Sequence, residues 1–155
     1  MRARRRPLIY VAGPLRDPNP WVVEQNVRRA EACGRLVVDA GAVPVVVHTM
    51  YRTYQDMPES FWNEACMSLV STCDALVVCV SRAGSLRSAG TTDEVRQAEA
   101  DSKTIFYDEV PSAGLEGRDV SHDQVRTIVE SGRHGFNGLW GWIVDWVKIH
   151  EDLPG

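Results

Sequence analysis

Four short apolar runs, Leu8 to Ala12, Ala42 to Val47, Ala75 to Val80 and Thr104 to Tyr107, alternate with longer segments whose apolar residues recur at helical spacing. That alternation constrains the fold more than any other feature. Strand, helix, parallel strand is a right-handed crossover, and repeating it builds an open sheet with a ligand crevice at the carboxyl ends of its strands. The expected class is α/β: a single-domain Rossmann-like (flavodoxin-like) parallel sheet of four to five strands with flanking helices. The 155 residues suit one domain over 1–155, large enough to bury a core without disulfides or metals.

Taken in order, the first run ends at Gly13-Pro14 in a tight loop carrying Arg16 and Asp17. From Trp21 to about Ala40, residues Val23, Val27, Ala30, Gly34, Val37 and Val38 form a helical stripe that Gly41 stops. The valines of the second run suit a strand covered on both faces. That strand is expected to end at His48, in a polar connection with Tyr51, Tyr54 and Asp56. Pro58 or Glu59 opens a helix with Phe61, Ala65, Leu69 and Cys73 on one stripe, and Asp74 begins the third strand. After the small-residue loop Ser81 to Arg87, another helix reaches about Ala100. Beyond Tyr107 the pattern weakens to a loop through Asp119 and a helix from Ser121 through Glu130. A tryptophan-rich helix over 135–150 closes the chain, with Leu139, Ile143, Trp146 and Val147 as its apolar face. Trp140 and Trp142 lie off that stripe, which suggests a partner surface and a homo-oligomer.

The net charge of -4 argues against a nucleic-acid polymer as partner. A small anionic ligand needs only local arginines and stays allowed. Cys33, Cys66, Cys73 and Cys79 form no CxxC pair, so they read as reduced thiols of a cytoplasmic protein, with no metal site and no cofactor implied. Residues 1–6 read as a frayed basic tail; the apolar run after them is too short for a signal peptide, and no stretch reaches membrane-spanning length.

Chemistry concentrates in Ser88-Ala-Gly-Thr-Thr-Asp-Glu94, between the third strand and the next helix. Free N–H groups at a helix N-terminus suit an anion. Glu94, expected near the first turn, would gain roughly 0.3–1 kcal/mol from the helix dipole and stay ionised. The plainer alternative makes Ser88 an N-cap and Glu94 a solvated helix residue. Loops 13–17, 48–56 and 81–94 should meet at one sheet edge, where Tyr10 either directs its hydroxyl into the crevice or is a core tyrosine.

Tyr10-Val-Ala-Gly-Pro-Leu-Arg16, Pro44-Val-Val-Val-His48, Cys73-Asp-Ala-Leu-Val-Val78 and Ser88-Ala-Gly-Thr-Thr-Asp-Glu94 occur in the order seen in the nucleoside 2-deoxyribosyltransferase-like superfamily. The chain resembles that superfamily over roughly Leu8 to Tyr107, most closely the small members that hydrolyse nucleoside monophosphates and related uncharacterised domains. The resemblance implies cleavage of the N-glycosidic bond of a nucleotide or nucleoside, with Glu94 attacking the anomeric carbon and Tyr10 orienting it. It implies that Arg16, Ser88 and the backbone at Gly13 and Gly90 hold a 5′-phosphate, with Thr91 adding a hydroxyl or completing the cap. It also implies a homodimer or larger assembly.

Many of those relatives carry an aspartate at the place held here by Cys66, eight residues ahead of Asp74. Glu64, His48 or Asp56 could replace it as acid, and His48 is attractive because its reference pKa of about 6.5 suits proton donation near neutrality. For Cys66 itself the favoured reading is a buried helix thiol. Gly90-Thr-Thr-Asp-Glu94 also fits the core of a cytokinin-activating-type phosphoribohydrolase, although Ser88-Ala89 replace the glycine pair expected there. A non-catalytic nucleotide-binding module is the alternative of a different class.

Overall fold

The computed structural model describes residues 5–79, 89–107 and 135–150. Along the chain run β1 (Leu8–Ala12), α1 (Pro20–Asp39), β2 (Val43–Val45), α2 (Val47–Thr53), α3 (Glu59–Thr72), β3 (Ala75–Val78), α4 (Ala89–Ala100), β4 (Thr104–Tyr107) and α5 (Gly135–His150). The strands form one parallel sheet in the order β2-β1-β3-β4. This is the expected Rossmann-like α/β fold. From β1 the chain moves outward to β2, then returns to place β3 on the other side of β1. The direction therefore reverses between β1 and β3, where the connections leaving their carboxyl ends diverge and open a crevice.

Side chains alternate across a strand, so β1 feeds two cores. Ile9 and Val11 pack with Val77 and Phe106 under Ala30, Cys33 and Val37 of α1 and Ile143 and Trp146 of α5. Tyr10 and Ala12 face the opposite way, joining Leu76, Val78 and Tyr107 beneath Trp62 and Val70 of α3 and Val95 and Ala98 of α4. Tyr10 thus points toward α3 and α4.

Local chemistry sets the ends. The Asn19 side chain accepts from the Trp21 N–H and Pro20 fills the first helical position, a paired start signal for α1. Gly41, at φ 98°, turns the chain out of α1 in the left-handed region. The Lys103 ammonium donates to the carbonyls of Val70, Ser71 and Cys73, satisfying orphan acceptors at the end of α3.

Several boundaries differ from the expectations. The second strand covers only Val43–Val45, lies at a sheet edge and leaves Val43 40% exposed, so it is not covered on both faces. Pro44 has no N–H to donate, which an edge tolerates. His48 and Tyr51 lie in α2 rather than in an open connection. On α3 the buried residues are Trp62 and Val70, while Phe61 is exposed, so the buried stripe is rotated by one position at its start. Asp74 precedes β3 and accepts from the Leu8 N–H at 2.7 Å and from Arg5 at 2.6 Å. Arg6 donates to the Gly41 carbonyl, so the tail's last two arginines are tied to the fold. Trp142 is half-buried and packs edge-on against Phe106 at 4.9 Å. The side chains of Leu139 and Trp140, the loop through Asp119 and the helix from Ser121 lie outside the described residues. No described helix is long and apolar enough to cross a membrane.

Candidate active site

Glu94 occupies the sixth position of α4, in its second turn, and is 8% exposed. Its side chain enters the core shared by α3, α4 and β1, where the Tyr10 hydroxyl hydrogen-bonds to it. Cys66, from the middle of α3, is the other hydrogen-bond partner of Tyr10. Three elements far apart in sequence therefore converge on one hydroxyl. The Glu94 Oε2 atom is buried and, among the described residues, has no hydrogen-bond partner. A buried carboxyl oxygen without a donor is costly, and such positions concentrate where a ligand completes the site.

Burial controls the electrostatics here. Removal from water raises the Glu94 carboxyl to about 8; Asp93 adds to the rise, and the Tyr10 hydrogen bond opposes it. The expectation of an ionised residue held by the helix dipole is thereby overturned. Glu94 sits a turn too deep for the dipole to dominate, and desolvation of the charge is the larger effect. Tyr10 is pushed well above its ordinary value by burial first and the Glu94 charge second, which keeps it a protonated donor. The Cys66 thiol is also raised, chiefly by burial and further by Glu94, against the lowering effects of Tyr10 and Arg16.

The loop after β1 is built by several anchors. His48 Nε2 lies 3.1 Å from the Gly13 and Pro14 carbonyl oxygens. Both partners only accept, so Nε2 carries the proton and Nδ1 is left as the acceptor. Nδ1 is buried without a partner among the described residues. Burial holds the imidazole below its usual pKa, against the raising effect of those carbonyls and of Glu31. Asn26 of α1 donates to the Leu15 carbonyl at 3.2 Å, and Asp17 accepts from the Asn19 N–H at 2.8 Å. Gly13 is enclosed: a Cβ there would lie 3.2 Å from the Cys79 Cβ.

Arg16 extends from this loop to Glu59 at the start of α3, an exposed 2.8 Å ion pair, and its charge reaches Cys66. The remaining sequence candidates are less concentrated. Gly90 is exposed in the first turn of α4, whereas Thr91 is buried at 1% exposure. Ser88, Arg82 and Arg87 lie outside the described residues. Glu64 and Asp56 are exposed to solvent. A separate cavity of about 440 Å³ lies between α1 and α2, beside Asp17, Glu24 and Tyr51; neither Tyr10 nor Glu94 lines it.

Sequence reasoning missed the part taken by Cys66, which belongs to the cluster and is only partly buried. The available signal was its place: Trp62 and Val70, four residues to either side, mark the face of α3 that meets β1. Asn26 had no such signal. Its role depends on where the loop crosses α1.

Residues 7–108, well over half of the chain, match the family described as Domain of unknown function (DUF7768). The chain belongs to that family. The DUF7768 span takes in β1 through β4 together with Tyr10, Arg16, His48, Cys66 and Glu94, and leaves α5 outside. No curated protein matches the chain.

Proposed function

We propose that this protein cleaves the N-glycosidic bond of a nucleoside 5′-monophosphate, by hydrolysis or base exchange, with Glu94 as nucleophile. The observation that carries the reading is the buried Tyr10–Glu94 pair with one carboxyl oxygen left unpartnered, at the reversal point of a parallel sheet. In its ionised form Glu94 attacks the anomeric carbon, and the carbon–nitrogen bond breaks with its electron pair leaving on the base, which takes up a proton. The resulting glycosyl ester passes its sugar to water or to a second base, regenerating the carboxyl group. Tyr10 orients the carboxylate. Arg16, on the first loop, is read as the phosphate's partner; it now pairs with the exposed Glu59, and exchanging that pair costs little. His48 supports the same loop; its only ring N–H is engaged by carbonyls, which fits positioning better than proton donation.

A non-catalytic nucleotide-binding module is the second reading, favoured by the burial that stabilises Glu94 in its neutral form. Incubation with a panel of nucleosides and monophosphates, followed by chromatography for free base, separates the two. Base release by the wild type and none by Glu94→Gln supports the enzyme. Nucleotide binding without base release at any pH between 6 and 9.5 selects the module. The free thiols are consistent with a cytoplasmic setting.

A further inference from the structure

Trp62 ends the first turn of α3, is 6% exposed and packs into the core that holds Tyr10, Val95 and Ala98. Tyr51 meets its indole edge-on at 6.2 Å and Phe61 at 5.3 Å, so the ring is held from two sides. Its Nε1 atom is nevertheless buried without a hydrogen-bond partner among the described residues. An indole nitrogen only donates, so an acceptor alone can satisfy it, and leaving it bare is costly. Trp146 has the same unsatisfied nitrogen, but in the core on the opposite face of the sheet, away from Tyr10. What distinguishes Trp62 is its place. Helices α3 and α4 lead into the parallel strands β3 and β4, so both begin at the carboxyl edge of the sheet, where the crevice opens. The unsatisfied Trp62 Nε1 lies in the first turn of one, and the unsatisfied Glu94 Oε2 in the second turn of the other.

We propose that Trp62 is a substrate-binding residue: its indole N–H donates to a sugar oxygen of a nucleoside 5′-monophosphate or sugar 5-phosphate, between the phosphate and the anomeric carbon. The inference rests on reading Arg16 as the phosphate's partner and Glu94 as the nucleophile. Along α3, Glu59 comes first and pairs with Arg16, Trp62 follows, and Cys66 then packs against the core that contains Tyr10. Residues three and four apart share a side of a helix, so Trp62 falls between the two ends of the site. The part of the substrate that joins a 5′-phosphate to the anomeric carbon is the sugar, whose oxygens are the acceptors the indole lacks.

The test needs no turnover. Nitrogen–proton correlation spectra of the isotope-labelled, full-length protein resolve the indole N–H signals, and Trp62→Phe and Trp146→Phe, each checked for native circular dichroism, assign the two of interest. Ribose 5-phosphate and 2-deoxyribose 5-phosphate are titrated in, with inorganic phosphate as the probe that reaches Arg16 alone. The Trp62 signal should move downfield with a sugar phosphate and hold still with inorganic phosphate, while that of Trp146 holds still throughout. Trp62→Phe should weaken sugar-phosphate binding roughly three- to tenfold, the effect of one lost hydrogen bond, and leave phosphate binding unchanged. Trp146→Phe should leave both unchanged. A Trp62 signal that no concentration of sugar phosphate moves overturns the assignment, and so does one that inorganic phosphate moves equally. If Trp62→Phe does not fold, the Trp62 signal is the one left after Trp21, Trp140, Trp142 and Trp146 are each replaced by phenylalanine, and the wild-type titration decides. A moved signal without base release from any monophosphate keeps the sugar contact and rejects the glycosidase reading, whereas base release with an unmoved signal does the reverse.

Discussion

The hydroxyl of Tyr10, midway along β1, hydrogen-bonds to the carboxyl of Glu94 in the second turn of α4, in a core that excludes water from both. The strand's alternation aims the ring, α4 delivers the carboxyl, and burial then favours the protonated acid. With Glu94 as the proposed nucleophile, a carboxyl kept neutral near pH 7 makes the proposed activity and the fold's stability depend on pH in opposite senses.

For activity, the nucleophilic form is the anion. The kcat/KM for base release should rise as pH increases and level off above about 8, the value to which burial raises Glu94. A profile that falls through the same range would make Glu94 a proton donor instead.

For stability, the folded pKa of Glu94 lies above its unfolded value of about 4.3. The unfolded chain therefore binds fewer protons between the two values, and this residue's contribution falls as pH rises from about 4.3 through about 8. Glu94→Gln abolishes that term. Its melting temperature should match wild type near pH 4 and exceed it at pH 9, by an amount worth a few kcal/mol at most, while base release is lost. A constant difference in melting temperature across pH would show that the carboxyl is not strained by burial.

His48 works with the opposite sign. Its folded pKa lies below the unfolded value of about 6.5, so the stability it confers is complete above that pH and is lost as pH falls through the lower folded value. Glutamine can still donate to the Gly13 and Pro14 carbonyls but does not titrate. Thermal unfolding of His48→Gln should therefore depend less steeply on pH below about 6.5 than that of the wild type. Parallel curves would remove the imidazole from the acid response.

Arg16 tests phosphate recognition. A hydrogen bond to a charged group contributes about 1.5–3 kcal/mol, so Arg16→Ala should lower kcat/KM on a monophosphate roughly tenfold to a hundredfold and barely affect the matched nucleoside. Equal losses on both substrates would assign Arg16 to its ion pair with Glu59.

Gly13→Ala should cost about 1–3 kcal/mol by overpacking, because its Cβ would press on Cys79 at 3.2 Å. Chemical denaturation measures this directly. A neutral result would mean that the loop yields without consequence.

The sheet was legible because a buried parallel strand must be apolar and short, and β4 begins and ends where the residues Thr104 to Tyr107 imply. The start of α1 was less sharp, although Asn19 and Pro20 together mark it. Legibility failed where tertiary contact decides the outcome. Nothing local says that the valines of β2 stand at an edge or that His48 begins a turn of helix. Trp142 looked unpartnered from α5 alone because its partner, Phe106, is on another element. At the candidate site, Tyr10 and Glu94 were identifiable by type and place, but the protonation of Glu94 was not, since burial depends on what packs above it.

The bond from the Leu8 N–H to Asp74 fixes where β1 begins against β3. A slip of one residue would exchange the two faces of β1, sending Tyr10 under α1 and α5 and presenting Ile9 and Val11 to Glu94. Sequence length between Arg6 and Tyr10 thus carries as much information as sequence identity. Among variants of this domain, a single-residue insertion or deletion in that short span should separate Tyr10 from Glu94 even if both residues are retained, so that alignments tolerating a gap there would group paired with unpaired arrangements.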